Sequence, residues 1–80
     1  MRYYVDNSSY FDTHPYNRPR IAKAVKAGGG KNVRLSRKYG LSNQPQVVTF
    51  DAGEVTAERV RKSVGRALGT PWIAVREKDW

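Results

Sequence analysis

The chain has 80 residues, a net charge of +8, 39% hydrophobic content and no cysteine. That is one domain, 1–80, with enough apolar material for a single core and little room to enclose a small-molecule substrate. Disulfides, thiolate chemistry and cysteine-ligated metals are excluded; no apolar run approaches the ~20 residues of a membrane span and no signal-peptide core opens the chain, so a cytoplasmic protein is expected.

Arg2-Tyr3-Tyr4-Val5 is aromatic and β-branched, a strand ended by the turn formers Asp6-Asn7-Ser8-Ser9. Residues 10–16 have no clean period and are expected to form an ordered loop. Asn17 is placed to cap a helix over 18–27, with Pro19 tolerated in its first turn and Ile21, Ala24 and Val25 as its apolar stripe. Gly28-Gly29-Gly30 should end it as a flexible terminator that presents Lys31. Val33, Leu35 and Tyr39 then alternate with Arg34, Ser36 and Lys38, the pattern of a half-buried strand with a cationic outer face. Gln46-Val47-Val48-Thr49-Phe50 is the clearest strand, broken by Asp51-Ala52-Gly53. Thr56 is expected to cap a helix over 57–68 with Ala57, Val60, Val64 and Leu68 buried. Gly65 lies inside that helix at a cost of ~1 kcal/mol relative to Ala, which suggests close packing. Gly69 and Pro71 stop it, and residues 72–76 form the last strand.

The order β-α-β-β-α-β at this length predicts an α+β, ferredoxin-like domain: one antiparallel four-stranded sheet with two helices on one face. The buried face should hold Tyr3, Val5, Ile21, Val25, Val33, Leu35, Val48, Phe50, Val60, Val64, Leu68, Ile73 and Val75. Strand alternation then puts Arg2, Tyr4, Arg34, Lys38, Val47, Thr49, Trp72 and Arg76 on the opposite, open face.

The charge is confined. No Asp or Glu occurs between Thr13 and Phe50, a stretch holding Arg18, Arg20, Lys23, Lys26, Lys31, Arg34, Arg37 and Lys38. The basic residues outside it are matched by the seven acidic ones. Such a block is the footprint expected for a polyanion partner. A solvated, solubilising surface is the plainer reading, but it does not account for the confinement. No long amphipathic helix points to a membrane. Tyr4 and Trp72, set among arginines on an open sheet, would offer base-stacking surfaces beside phosphate-pairing groups; packing of these rings on each other is the alternative.

Across nearly the whole chain the spacing resembles the RNA recognition motif. Tyr3-Tyr4-Val5-Asp6-Asn7 looks like the first-strand motif of that family, which makes Tyr4 the implied stacking ring. Gln46-Val47-Val48-Thr49-Phe50 resembles the end of its third-strand motif and Ile73-Ala74-Val75-Arg76 its last strand. Where the family places its two third-strand aromatics, this chain has Pro45 and Val47.

Other motifs are weak. His14, the only histidine, has Asp12 nearby, yet no second histidine or nucleophile completes an acid–base set. Gly28-Gly29-Gly30-Lys31 follows a helix, whereas a phosphate-binding loop follows a strand, and Asn32 stands where the metal-binding Ser or Thr would be. Arg59, Arg61, Lys62 and Arg66, interleaved with Glu58, make a solvated helix face. The expected binding residues are therefore Tyr4, Lys31, Arg34, Arg37, Lys38, Trp72 and Arg76, with no catalytic residue, metal or cofactor.

One compact domain with one charged face and no catalytic set is similar in format to phage-encoded anti-CRISPR proteins, especially those directed at type I Cascade complexes. That resemblance implies a non-catalytic inhibitor in the host bacterial cytoplasm. It would attach to a CRISPR ribonucleoprotein, or another nucleoprotein complex, and block recognition of target DNA. A basic member would dock on acidic protein surface or exposed guide RNA, or recruit nonspecific DNA. A second reading stays open: a free-standing RNA- or DNA-binding protein with a degenerate RNA recognition motif-like sheet.

Overall fold

A computed structural model describes residues 1–6, 17–44, 46–69 and 73–80. The β-branched and aromatic runs form strands β1 (Arg2–Asp6), β2 (Lys31–Arg37), β3 (Gln46–Asp51) and β4 (Ala74–Glu77). The two stretches with helical period form α1 (Asn17–Ala27) and α2 (Glu54–Leu68), giving the chain order β1-α1-β2-β3-α2-β4. The strands pair antiparallel in one four-stranded sheet ordered β2-β3-β1-β4. β1 and β3 are thus central, and β2 and β4 are the edges. The fold is α+β.

One core lies between sheet and helices. Tyr3 and Val5 of β1 and Val48 and Phe50 of β3 meet Ile21, Ala24 and Val25 of α1 and Ala57, Val60 and Val64 of α2. Phe50 is fully buried, its ring stacked on that of Tyr3 at 5.9 Å between centroids. Each such apolar side chain contributes ~1.5–3 kcal/mol through removal from water. Val33 and Val75, placed inward by strand alternation, and Leu68, on the buried stripe of α2, pack partly buried against this core. Leu35 does not: it pairs with Val48 but stands on the edge strand, 47% exposed.

The two helices touch closely, and the glycine triplet explains how. Gly28, Gly29 and Gly30 donate their N–H groups to the carbonyls of Ala24, Lys26 and Val25, ending α1. A Cβ at Gly28 would lie 2.8 Å from the Val60 Cα of α2, and one at Gly30 would lie 2.5 Å from Val25 Cγ1. The triplet is a close-packing device as well as a terminator. The Ser63 hydroxyl adds a hydrogen bond to the Ala24 carbonyl at 2.8 Å, tying α2 to α1.

Three boundaries differ from expectation. α2 begins at Glu54 with Gly53 at its N-cap, so Thr56 lies inside the helix and caps nothing. Glu54 in the first turn suits the positive end of the helix dipole, which lets the helix start early. α1 takes in Asn17, the expected cap, as its first residue. β2 runs from Lys31 to Arg37, and Lys38–Gly40 form a 3-10 turn in which Tyr39 has φ 55°. Tyr39 is therefore rotated off the strand and 63% exposed, where alternation had placed it inside. At its C-terminus α2 ends on Gly69 in the left-handed conformation, as the sequence requires. Pro71 and the expected start of the last strand at Trp72 lie outside the described residues, as do His14, Asp12 and the loop 10–16. Among the described residues no helix is long and apolar enough to cross a membrane.

Candidate nucleic-acid interface

The strand positions that alternate with the core build the sheet face turned away from the helices. By register they are Arg2, Tyr4 and Asp6 on β1, Val47, Thr49 and Asp51 on β3, Arg34 and Ser36 on β2, and Arg76 on β4. The pairing continues beyond β4, because the Lys78 N–H donates to the Arg2 carbonyl at 2.8 Å. Lys78 and Trp80 consequently fall on this same face.

Two adjoining grooves cross it. The first, of about 370 Å³, is lined by Arg2, Asn32, Arg34, Thr49, Asp51 and Lys78, with Ser36 toward the second groove. Its floor is organised around Arg2. That guanidinium donates to Asp51 Oδ1 at 3.1 Å, to Thr49 Oγ1 at 2.7 Å and to the Asn32 carbonyl at 2.8 Å. Asn32 sits where the β2–β3 register shifts, with φ 51°, a conformation Asn tolerates better than most residues. From there its amide donates to Asp51 Oδ2 at 2.7 Å. The Asn32 hydrogen bond, and next the one from Arg2, hold the Asp51 carboxyl below the usual aspartate range. Thr49, fully buried under Arg2, donates its hydroxyl to the Arg34 carbonyl at 3.4 Å. The Arg34 guanidinium itself has no hydrogen-bond partner among the described residues. Arg34 is exposed at the groove wall.

The second groove, of about 520 Å³, is lined by Ser36, Arg37, Tyr39, Gly40, Lys78 and Trp80. Trp80 meets the Tyr4 ring edge-on at 5.6 Å and the Tyr39 ring at 6.2 Å. Lys38 Nζ stands 5.7 Å from the Tyr4 centroid and 5.8 Å from that of Tyr39. Lys78 Nζ lies 4.3 Å from the Trp80 centroid and donates to the Trp80 backbone oxygen at 2.7 Å. The result is a cationic trough with an aromatic end wall.

Several expected site residues take other places. Tyr4 is on the open face but only 7% exposed, because Trp80 and Lys38 cover it; it is not a free stacking ring. Arg37 is exposed, yet it pairs in register with Gln46 on the helix side, and its guanidinium donates to the carbonyls of Gln44 at 2.7 Å and Ser42 at 3.5 Å. Arg76 lies on the open face, bound to Asp6 at 2.7 Å. Lys38 leaves the strand but still reaches the aromatic cluster. Lys31 is exposed at the start of β2, opposite Asp51. Trp72 lies outside the described residues. Sequence reasoning missed Arg2 as a central site residue, and missed Tyr39, Lys78 and Trp80 altogether. The last two were findable: extending the period-2 alternation of Ala74 and Arg76 reaches both.

The chain matches no protein-family profile, no characterised protein and no solved structure.

Proposed function

We propose that this chain is a non-catalytic binding module that engages the nucleic acid of a nucleoprotein machine through its phosphates. The open sheet face receives them along the trough between β2 and residues 78–80. One observation carries the reading: Arg34, whose guanidinium has no hydrogen-bond partner among the described residues, lines a polar groove of about 370 Å³ together with Arg2 and Lys78. A guanidinium offers a planar fork of donors that matches phosphate oxygens. Phosphate contacts position a strand without selecting its sequence. Tyr4 is withdrawn under Trp80, which argues against stacking on β1 and in favour of backbone contact.

The setting we propose is that of a phage-type anti-CRISPR inhibitor in the host cytoplasm, docked on guide RNA of an effector complex so that target DNA is not recognised. For the architecture we propose the ferredoxin-like class. The chain order supports it, and so does the strand order, which from the other edge runs β4-β1-β3-β2. A pull-down with tagged protein, with and without nuclease, tests the setting. Recovery of a nuclease-resistant ribonucleoprotein supports the inhibitor. Recovery of nucleic acid alone replaces it with a free-standing binder, and recovery of neither overturns both.

A further inference from the structure

We infer that the groove formed by Tyr39 and Trp80 is a base-stacking clamp for an unpaired nucleotide whose flanking phosphates lie over Arg2 and Arg34. The inference rests on the phosphate-binding reading above and adds a subsite and a ligand chemistry to it: the aromatic face of a nucleobase in a single strand.

The geometry points there in three ways. First, the groove of about 520 Å³ shares Ser36 and Lys78 with the phosphate trough, so the two adjoin on one sheet face. Its size is within the ~300–1,000 Å³ typical of small-ligand sites. Second, its two rings are tilted by 58° rather than stacked, and Tyr39 is 63% exposed, which leaves a face of that ring open. Lys78 Nζ takes up one face of Trp80 at 4.3 Å, and Lys38 Nζ stands farther off at 5.8 Å from Tyr39, so Tyr39 offers the stacking surface with two cations beside it for the backbone. Third, Tyr39 holds φ 55°, a left-handed conformation unusual for a bulky side chain, directly before Gly40 at φ 69°. The backbone is twisted at the residue that presents the ring. The ring lies outside the core and packs against Trp80 and Lys38.

Two uncovered phosphodiester strands of equal length and charge separate the possibilities: an oligothymidylate and its abasic counterpart, titrated by fluorescence anisotropy. The clamp predicts that the abasic strand binds about 5- to 150-fold more weakly, the range for loss of one base–aromatic stack. Equal binding of both strands overturns the clamp and leaves phosphate recognition standing. Binding of neither overturns phosphate recognition and the clamp with it. Tyr39→Gly supplies the control for folding. It removes the ring while relieving the left-handed backbone, so this variant should melt no lower than the parent. It should bind the two strands alike, whereas Tyr39→Phe should keep the preference. A Tyr39→Gly variant that folds and still prefers the intact strand overturns the assignment of the clamp to Tyr39.

Discussion

Asp51 sets how much of the positive charge on the sheet face is available to a ligand. Its carboxylate takes hydrogen bonds from Asn32 and Arg2, which ties the irregular start of β2 to β3 and holds the Arg2 guanidinium where it also donates to Thr49 Oγ1. Folding strengthens this acid, so the ionised form is the one the fold favours. The stabilisation is complete above the ordinary aspartate value of 3.8 and is lost as pH falls through the lower folded value. Across neutral pH this bridge should not vary. Asp51→Asn should leave the fold intact and tighten polyanion binding severalfold at low salt, since a guanidinium is freed and a repelling charge removed. Titration of labelled oligonucleotide checks this, and weaker binding would show that Arg2 must be held by Asp51 to act. Phe50 is the opposite kind of residue, wholly buried and remote from the trough. Phe50→Ala should cost ~3–5 kcal/mol in chemical denaturation, a large share of the ~5–15 kcal/mol available to a small domain.

At the scale of elements, the close approach of α1 to α2 depends on the absence of a side chain. The atom nearest a Cβ on Gly28 belongs to the α2 backbone, which cannot move aside as a flexible side chain would. Gly28→Ala should therefore cost ~1–3 kcal/mol. In a domain of this size that lowers the melting temperature by roughly 4–8 °C per kcal/mol. Gly53 has open space around it and an extended backbone at the N-cap of α2. Gly53→Ser should accordingly raise stability by a few tenths of a kcal/mol, measured in the same melts. The central strands and both helical stripes were legible because period and burial coincide there: Val5, Val48 and Phe50 alternate inward, and Val60 and Val64 share a helix face. The end of β2 was not legible. A run of alternating residues carries no sign that Tyr39 joins Gly40 in the left-handed conformation, which glycine adopts freely and a bulky side chain rarely does. The candidate site was legible as a sheet face but not as a surface, because Trp80 reaches back over Tyr4 from beyond the last strand.

At the scale of the whole molecule, cations stand on both sides of the sheet, and only a comparison of sides shows which one binds. Reversing Lys31, Arg34, Lys38 and Lys78 to Glu should abolish oligonucleotide binding, whereas reversing Arg59, Arg61, Lys62 and Arg66 on α2 should weaken it far less. Arg61 is already held by Glu58 at 2.6 Å. If about five phosphates are engaged, log affinity should fall against log salt with a slope near −3.5. A slope near zero would mean that charge is not what holds the partner. β2 is an edge of the sheet, so its outer side has no strand partner among the described residues, and Leu35 is exposed on it. An open edge of this kind is a template on which another copy can add a strand, and lysine, arginine and local irregularity are what keep copies apart. Lys31, Arg34 and Arg37, with the register shift after Lys31, occupy that edge. The residues offered to a polyanion thus also guard against aggregation. A lineage that abandoned its ligand could not discard these charges freely, and neutral substitutions there should emerge first as fibrils or inclusion bodies.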